Sequence, residues 1–122
     1  MTSEELKKRT KQFALDNIRL VEIFPKSPSS EIIARQLIRS ATSVGANYRS
    51  ACRARSKPDF ISKITIAEEE ADECMYWLEL LIELQSDDHS ALQSLLKEAN
   101  KLTATFASSA KTARSELSNP KS

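Results

Sequence analysis

The sequence predicts an all-α protein, an antiparallel up-down-up-down four-helix bundle, on three observations. Apolar residues recur at three- and four-residue steps through four long segments. One glycine, Gly45, and only four prolines occur in 122 residues, too few breakers for a β-rich fold with its many turns. The three connections are short, and short loops make sequential helices antiparallel neighbours.

Helix 1 is predicted from about Ser3 to Phe24. Thr2 and Glu5 have capping-box spacing. Phe13, Ala14, Ile18, Val21 and Phe24 give one apolar face, and Pro25 and Pro28 end the helix. Helix 2 starts at Ser27-Pro28, an N-cap residue followed by proline at the first helical position, and runs to about Arg55. Its stripe is Ile33, Leu37, Ala41, Val44, Tyr48 and Cys52. Gly45 sits mid-helix, where it costs about 1 kcal/mol relative to alanine. Close approach of another helix would explain it.

Helix 3 begins after Ser56, with Asp59 as capping-box partner and Pro58 in the first turn, and runs to about Gln85. Phe60, Ile64, Ala67, Ala71, Cys74, Leu78 and Leu81 are spaced as a heptad seam. Helix 4 starts at Asp87 or Asp88 and fades near Leu117. Leu92, Leu95, Ala99, Leu102, Phe106, Ala110, Ala113 and Leu117 repeat the heptad spacing. One domain thus covers residues 1–117, with 118–122 a frayed, disordered tail.

Charge and composition narrow the function classes. Hydrophobic residues are 40% and charged residues 29% of the chain, ordinary globular usage. A net charge of +1 gives the whole chain no attraction for nucleic acid or membrane. No apolar run has the length of a membrane span, and the N-terminus is polar, unlike a signal peptide, so a cytoplasmic location is expected. Cys52 and Cys74 fall roughly 20 Å apart along the bundle axis at 1.5 Å per residue, too far for a disulfide. Both are expected to be buried thiols.

One feature exceeds what a monomeric bundle needs. Trp77, Leu80 and Leu84 form a second apolar stripe on helix 3, with Tyr76 beside it. A helix apolar on two sides must be buried on two sides. A subunit interface would do this, making Tyr76, Trp77, Leu80 and Leu84 the candidate oligomer contacts. Helices 1 and 4 splaying to cover both stripes would do it too.

Charge is segregated. Residues 39–63 carry Arg39, Arg49, Arg53, Arg55, Lys57 and Lys63 against Asp59 alone, a net of +5. From Ile64 to Asp88 there is no lysine or arginine and nine acids. Arg49, Arg53, Arg55, Lys57 and Lys63 surround the helix 2–helix 3 turn and are candidate contacts to RNA or DNA. Solvated faces whose charges pair within or between subunits are the alternative. No stacking aromatic is interleaved with the basic run.

No catalytic site is expected. His89 is the only histidine and lies in the first turn of helix 4 as an exposed residue. Zinc would need several Cys or His ligands at close spacing. Glu69, Glu70 and Glu73 lack the Glu-x-x-His partners of di-metal bundles. No phosphate loop or nucleophile elbow occurs. Ser40, Thr42, Ser43 and Asn47 lack a nearby histidine to activate a hydroxyl, and suit helix–helix hydrogen bonding. No metal, cofactor or small-molecule substrate is expected.

The stretch Gln36 to Tyr48, with Arg39, Ser40, Ser43, Gly45, Ala46 and Asn47, resembles the "RSxxSxxAN" signature of a family of four-helix bundle proteins. Its founding members are encoded in intervening sequences of bacterial large-subunit ribosomal RNA genes. The resemblance continues through Ala51, Arg53, Ser56, Asp59, Phe60 and Tyr76 to Leu81, and covers about residues 10 to 85. It implies an antiparallel bundle that assembles into a homo-oligomer, typically a five-fold ring, with no catalytic residues. The chain is also distantly similar to accessory variability determinant proteins of diversity-generating retroelements. In those, a basic ring surface contacts nucleic acid and a reverse transcriptase.

Overall fold

Side-chain caps decide where the four helices begin. In the computed structural model, which describes residues 1–118, the helices are α1 (Ser3–Ile23), α2 (Pro28–Cys52), α3 (Lys57–Leu84) and α4 (Ser90–Ser118). Thr2 and Glu5 form the predicted capping box, with Glu5 N–H donating to Thr2 Oγ1 at 3.1 Å and Thr2 N–H to Glu5 Oε2 at 3.2 Å. Ser27 and Ser30 do the same for α2. At α3 only half the predicted box forms. Asp59 N–H donates to Ser56 Oγ at 3.1 Å, but the Asp59 carboxylate accepts from Arg55 N–H instead of Ser56.

The helix ends differ from expectation at three places. α2 stops at Cys52, three residues early. Ser56 must be extended to cap α3, so Arg53 to Arg55 are needed to reverse the chain. α4 starts at Ser90, not Asp87 or Asp88. Asp88 stays outside and accepts from the Ser90 N–H at 2.9 Å and the Ser90 hydroxyl at 3.0 Å, which lowers its pKa. At the far end α4 includes Ser118, assigned above to the tail. The remainder of that tail, residues 119–122, lies outside the described residues.

Cross-helix contacts show the antiparallel order. Lys57 at the start of α3 pairs with Glu116 at the end of α4, and Arg39 of α2 with Glu70 and Glu73 of α3. Among the described residues no strand occurs. The seams of α3 and α4 bury as predicted. Ile64, Ala67, Ala71, Cys74, Leu78 and Leu81 are sealed from solvent, as are Ala99, Leu102, Phe106 and Ala110. Phe60 at the α3 end is half-buried. Tyr48 packs its ring 5.7 Å from Phe106. Leu117 is exposed, because α4 has by then run past its partner's first turn.

Two seams correct the sequence reading. The buried face of α1 is Leu6, Thr10, Phe13, Asn17 and Leu20, a heptad seam with polar residues at two of five positions. Those polar residues hid the register. Ala14, Ile18, Val21 and Phe24 sit half-buried beside it. In α2 the last buried residue is Ala51, and Cys52 is exposed. A straight helix turns 3.6 residues per turn, so the stripe drifts off a fixed four-residue step. Cys74 is buried as expected, its thiol pushed far up in pKa by burial and the nearby Glu70 and Glu73 charges.

α1 is the least secured helix. It packs along α2 and meets α4 sparsely. One clamp crosses that seam: Arg9 donates through Nε and Nη2 to both Glu98 oxygens, at 2.6 and 2.7 Å. The α1–α2 contact explains Gly45. A Cβ built there would lie 3.3 Å from Thr10 Oγ1, tighter than comfortable contact. Asn17 is fully buried and donates from Nδ2 to Phe13 O at 2.8 Å, and among the described residues its Oδ1 has no partner.

Two substitutions test this packing. Leu78→Ala is expected to lower unfolding free energy by about 2–5 kcal/mol, since it opens a cavity in the tightest seam. Asn17→Leu, which removes an unpaired buried acceptor, is expected to raise it by about 1 kcal/mol. Urea unfolding followed by circular dichroism checks both.

Candidate functional site

The signature segment is a helix clamp. Arg39 reaches across from α2, donating Nη1 to Glu70 Oε2 at 3.1 Å and Nη2 to Glu73 Oε1. Nη2 also donates to Ser40 Oγ at 3.0 Å, and Gln36 accepts from Nε. Glu73 further accepts from Trp77 Nε1 at 3.1 Å. Burial alone would raise the Glu73 pKa. Hydrogen bonds from Arg39, Trp77 and Ser40 and the Arg39 charge outweigh it, holding the carboxyl below its ordinary range. These two acids, compared above with a metal site, are thus spent on a guanidinium. Among the described residues no group of three or more His, Cys, Asp or Glu side chains could hold a metal ion.

The rest of the segment works mostly within α2. Asn47 Nδ2 donates to Ser43 O and Oγ, both at 2.9 Å, and Thr42 Oγ1 donates to Ile38 O at 2.8 Å. Among the described residues the expected hydrogen bonding between helices runs through Arg39: Ser40 Oγ accepts from Arg39 Nη2, which also reaches Glu73 of α3. Gly45 is the close-approach point against α1, and Ala46 beside it is exposed.

The second stripe of α3 is partly open. Trp77 packs against the core from the side, and Leu80 is half-buried. Tyr76 and Leu84 are 56% and 54% exposed. The Tyr76 and Trp77 rings meet edge to face at 5.1 Å. Ile32, 57% exposed, lies one heptad before Arg39 on the same strip of α2. It joins the half of the α2–α3 face beyond the clamp, a residue the sequence reading passed over. The packing of the chain itself thus covers Trp77 and Leu80 in part and leaves Tyr76 and Leu84 open.

The basic block does not form one patch. Lys57 is paired with Glu116. Arg55 is exposed at the turn and Lys63 half-buried on α3. Arg49 and Arg53 instead flank a groove between α2 and α1, where Lys7 and Lys11 face them. The two lysines were not singled out because only folding brings residues so distant in sequence together. His89 also moves. It precedes α4, supplies the carbonyl that accepts from Gln93 N–H at 2.8 Å, and is partly buried with Nε2 against Gln85 O. Among the described residues no helix is long and apolar enough to cross a membrane.

With this geometry in place, comparison with known proteins is decisive about kinship. The family model described as 23S rRNA-intervening sequence protein matches residues 3–108. The chain belongs to that family. It is also similar to a crystal structure of a protein with unknown function from the S23 ribosomal protein family of Bacteroides thetaiotaomicron VPI-5482. The two share 32% sequence identity and superpose with a TM-score of 0.80, over 91% of this chain and 99% of that one. Against curated proteins the chain finds no match. Neither match names the retroelement accessory proteins. The match takes in the whole of α1, α2 and α3, including Arg39 and its two acid partners.

The clamp has a pH signature. Because Glu73 is depressed in the folded state, its contribution to stability is present above the ordinary carboxylate range, roughly pH 4, and is lost as pH falls through the lower folded value. Arg39→Leu is therefore expected to cost about 1 kcal/mol at pH 7, the pair being half exposed, and progressively less below pH 4. Urea midpoints of both proteins across pH 3 to 7 measure it.

Proposed function

We propose that this chain is a non-enzymatic, self-assembling bundle that serves as a homo-oligomeric scaffold or adaptor, its subunits joined through the open strip of α3. The supporting observation is the cluster of exposed large apolar side chains on one face: Tyr76 and Leu84 on α3 and Ile32 on α2. Leaving them wet wastes burial worth about 25 cal/mol per Å², and contiguous patches of this kind mark contact surfaces. Trp77 supplies a rigid anchor at the patch centre, the residue type that dominates interface energetics. The family resemblance implies a closed ring, typically of five copies, and closure removes the exposed patch from every subunit.

A non-catalytic role fits the chemistry in hand. The single histidine sets its Nε2 against the Gln85 carbonyl, and Glu70 and Glu73 are tied to Arg39. The alternative is an accessory protein that holds RNA or DNA on a basic surface around the α2–α3 turn. It has less support, because Lys57 is neutralised and Arg49 and Arg53 face α1.

Light scattering of the purified chain at micromolar concentration tests assembly, with a discrete multiple of the 13.7 kDa subunit expected. A strict monomer sinks the reading. Tyr76→Glu with Leu84→Glu, both at exposed positions, is expected to dissociate the oligomer while keeping the helical spectrum. A double variant that keeps the oligomer places the interface elsewhere.

A further inference from the structure

The groove between α1 and α2 gathers basic side chains from both helices. It encloses about 510 Å³, within the range of small-molecule sites. Lys7 and Lys11 stand on its α1 side, Arg49 and Arg53 on its α2 side, and among the described residues no carboxylate lines it. Its floor includes the small residues Ala14, Gly45 and Ala46, with Gly45 closed against Thr10. Arg49, Arg53 and Lys11 make no ion pair among the described residues. Lys7 has one, to Glu4 at 3.1 Å, whose side chain is 75% exposed and so releases it at little cost.

The contact of Gly45 with Thr10 fixes how the cations align. Antiparallel pairing from that point sets Lys11 level with Gly45 and Lys7 level with Arg49. Arg53 lies one turn further, toward the start of α1. The four charges thus make a track about 12 Å long at 1.5 Å per residue. On the same register the first turn of α1, with Glu4 and Glu5, lies level with the stretch between Arg49 and Arg53, outside the groove lining. Beyond Lys11 come Ala14 and, on α2, Ile38, which carry no charge. The four cations therefore span a bounded stretch, with carboxylates beside one end and no charge next to the other.

We propose that this groove binds a short linear polyphosphate of about three phosphoryl groups, free or carried by a nucleotide. Four cations on two walls match a chain of several negative charges, and the guanidiniums of Arg49 and Arg53 suit phosphoryl oxygens in bidentate geometry. No aromatic side chain lines the groove, so the phosphate chain is what is recognised, not a base. The site is independent of the α3 strip, and assembly and ligand binding are separately measurable.

Calorimetric titration of the full chain tests it, with inorganic tripolyphosphate, ATP and orthophosphate as probes. One site per chain is expected, with tripolyphosphate bound at least about tenfold more tightly than orthophosphate and more weakly as salt rises. ATP bound no better than tripolyphosphate assigns the free chain, and ATP bound more tightly assigns the nucleotide; both keep the site. Lys11→Gln with Arg49→Gln is expected to weaken binding about tenfold or more. Ala46→Glu, at an exposed floor position, is expected to abolish it. Lys97→Gln with Lys101→Gln, on exposed α4 positions, makes the same charge change and is expected to leave affinity unaltered. The proposal is overturned if tripolyphosphate binds no better than orthophosphate, or if the α4 variant loses as much as the groove variant. It is equally overturned if a single-stranded oligonucleotide binds the groove more tightly than either probe, with a salt slope beyond four phosphates.

Discussion

Exclusion of water from the α3 seam is the constraint on which the rest of this structure depends. Six seam residues from Ile64 to Leu81 have no exposed surface, and three of them are alanine or cysteine. Small side chains let α2 and α4 come close on either side, and dispersion contacts accumulate with closeness. α3 is therefore the central rod, and α2 and α4 are its tightest neighbours. The Arg39 clamp sits outside this seam and registers α2 against it. Its guanidinium is half exposed, so it contributes alignment more than energy.

α1 stands in a different relation to that core. Its seam carries Thr10 and Asn17 where α3 and α4 carry apolar residues, and among the described residues the Asn17 side-chain oxygen has no partner. Its link to α4 is a single guanidinium fork. The elements that bind or move are drawn from the less stable end of a fold. The basic groove lies along this helix, where loose packing leaves room for a ligand. The apolar strip proposed for assembly lies on the adjoining α2–α3 face, along the central rod, where a fixed surface favours a defined interface.

The charge distribution follows the same division. The acids that dominate the second half of α3 are partly consumed by Arg39 and partly left in water, where they border the exposed strip. The basic residues divide among three environments: an ion pair at Lys57, solvent at Arg55, and the groove at Arg49 and Arg53. A count of charges along the chain joins residues that helical geometry separates. Arg49 and Arg53 share a face because they are four apart, whereas Arg55 and Lys57 are carried away by the turn.

Periodicity, capping chemistry and loop length determined the four helices, their antiparallel order and most of the core before any coordinates existed. These are local properties. A heptad seam declares its buried face, and Thr2, Ser27 and Ser56 declare their helix starts, from residues within a few positions. The signature segment was likewise legible as a unit. Tertiary structure alone decided what depends on residues far apart. The polar seam of α1 became visible only against Gly45 and the core, since Thr10 and Asn17 read as surface residues in isolation. Cys52 fell outside because the buried stripe drifts at 3.6 residues per turn, and Leu117 because α4 runs past the first turn of α3, which only the neighbouring helix fixes. The same holds for the groove. Lys7 and Arg53 are separated by forty-six positions, and only the antiparallel packing of two helices places their charges on one surface.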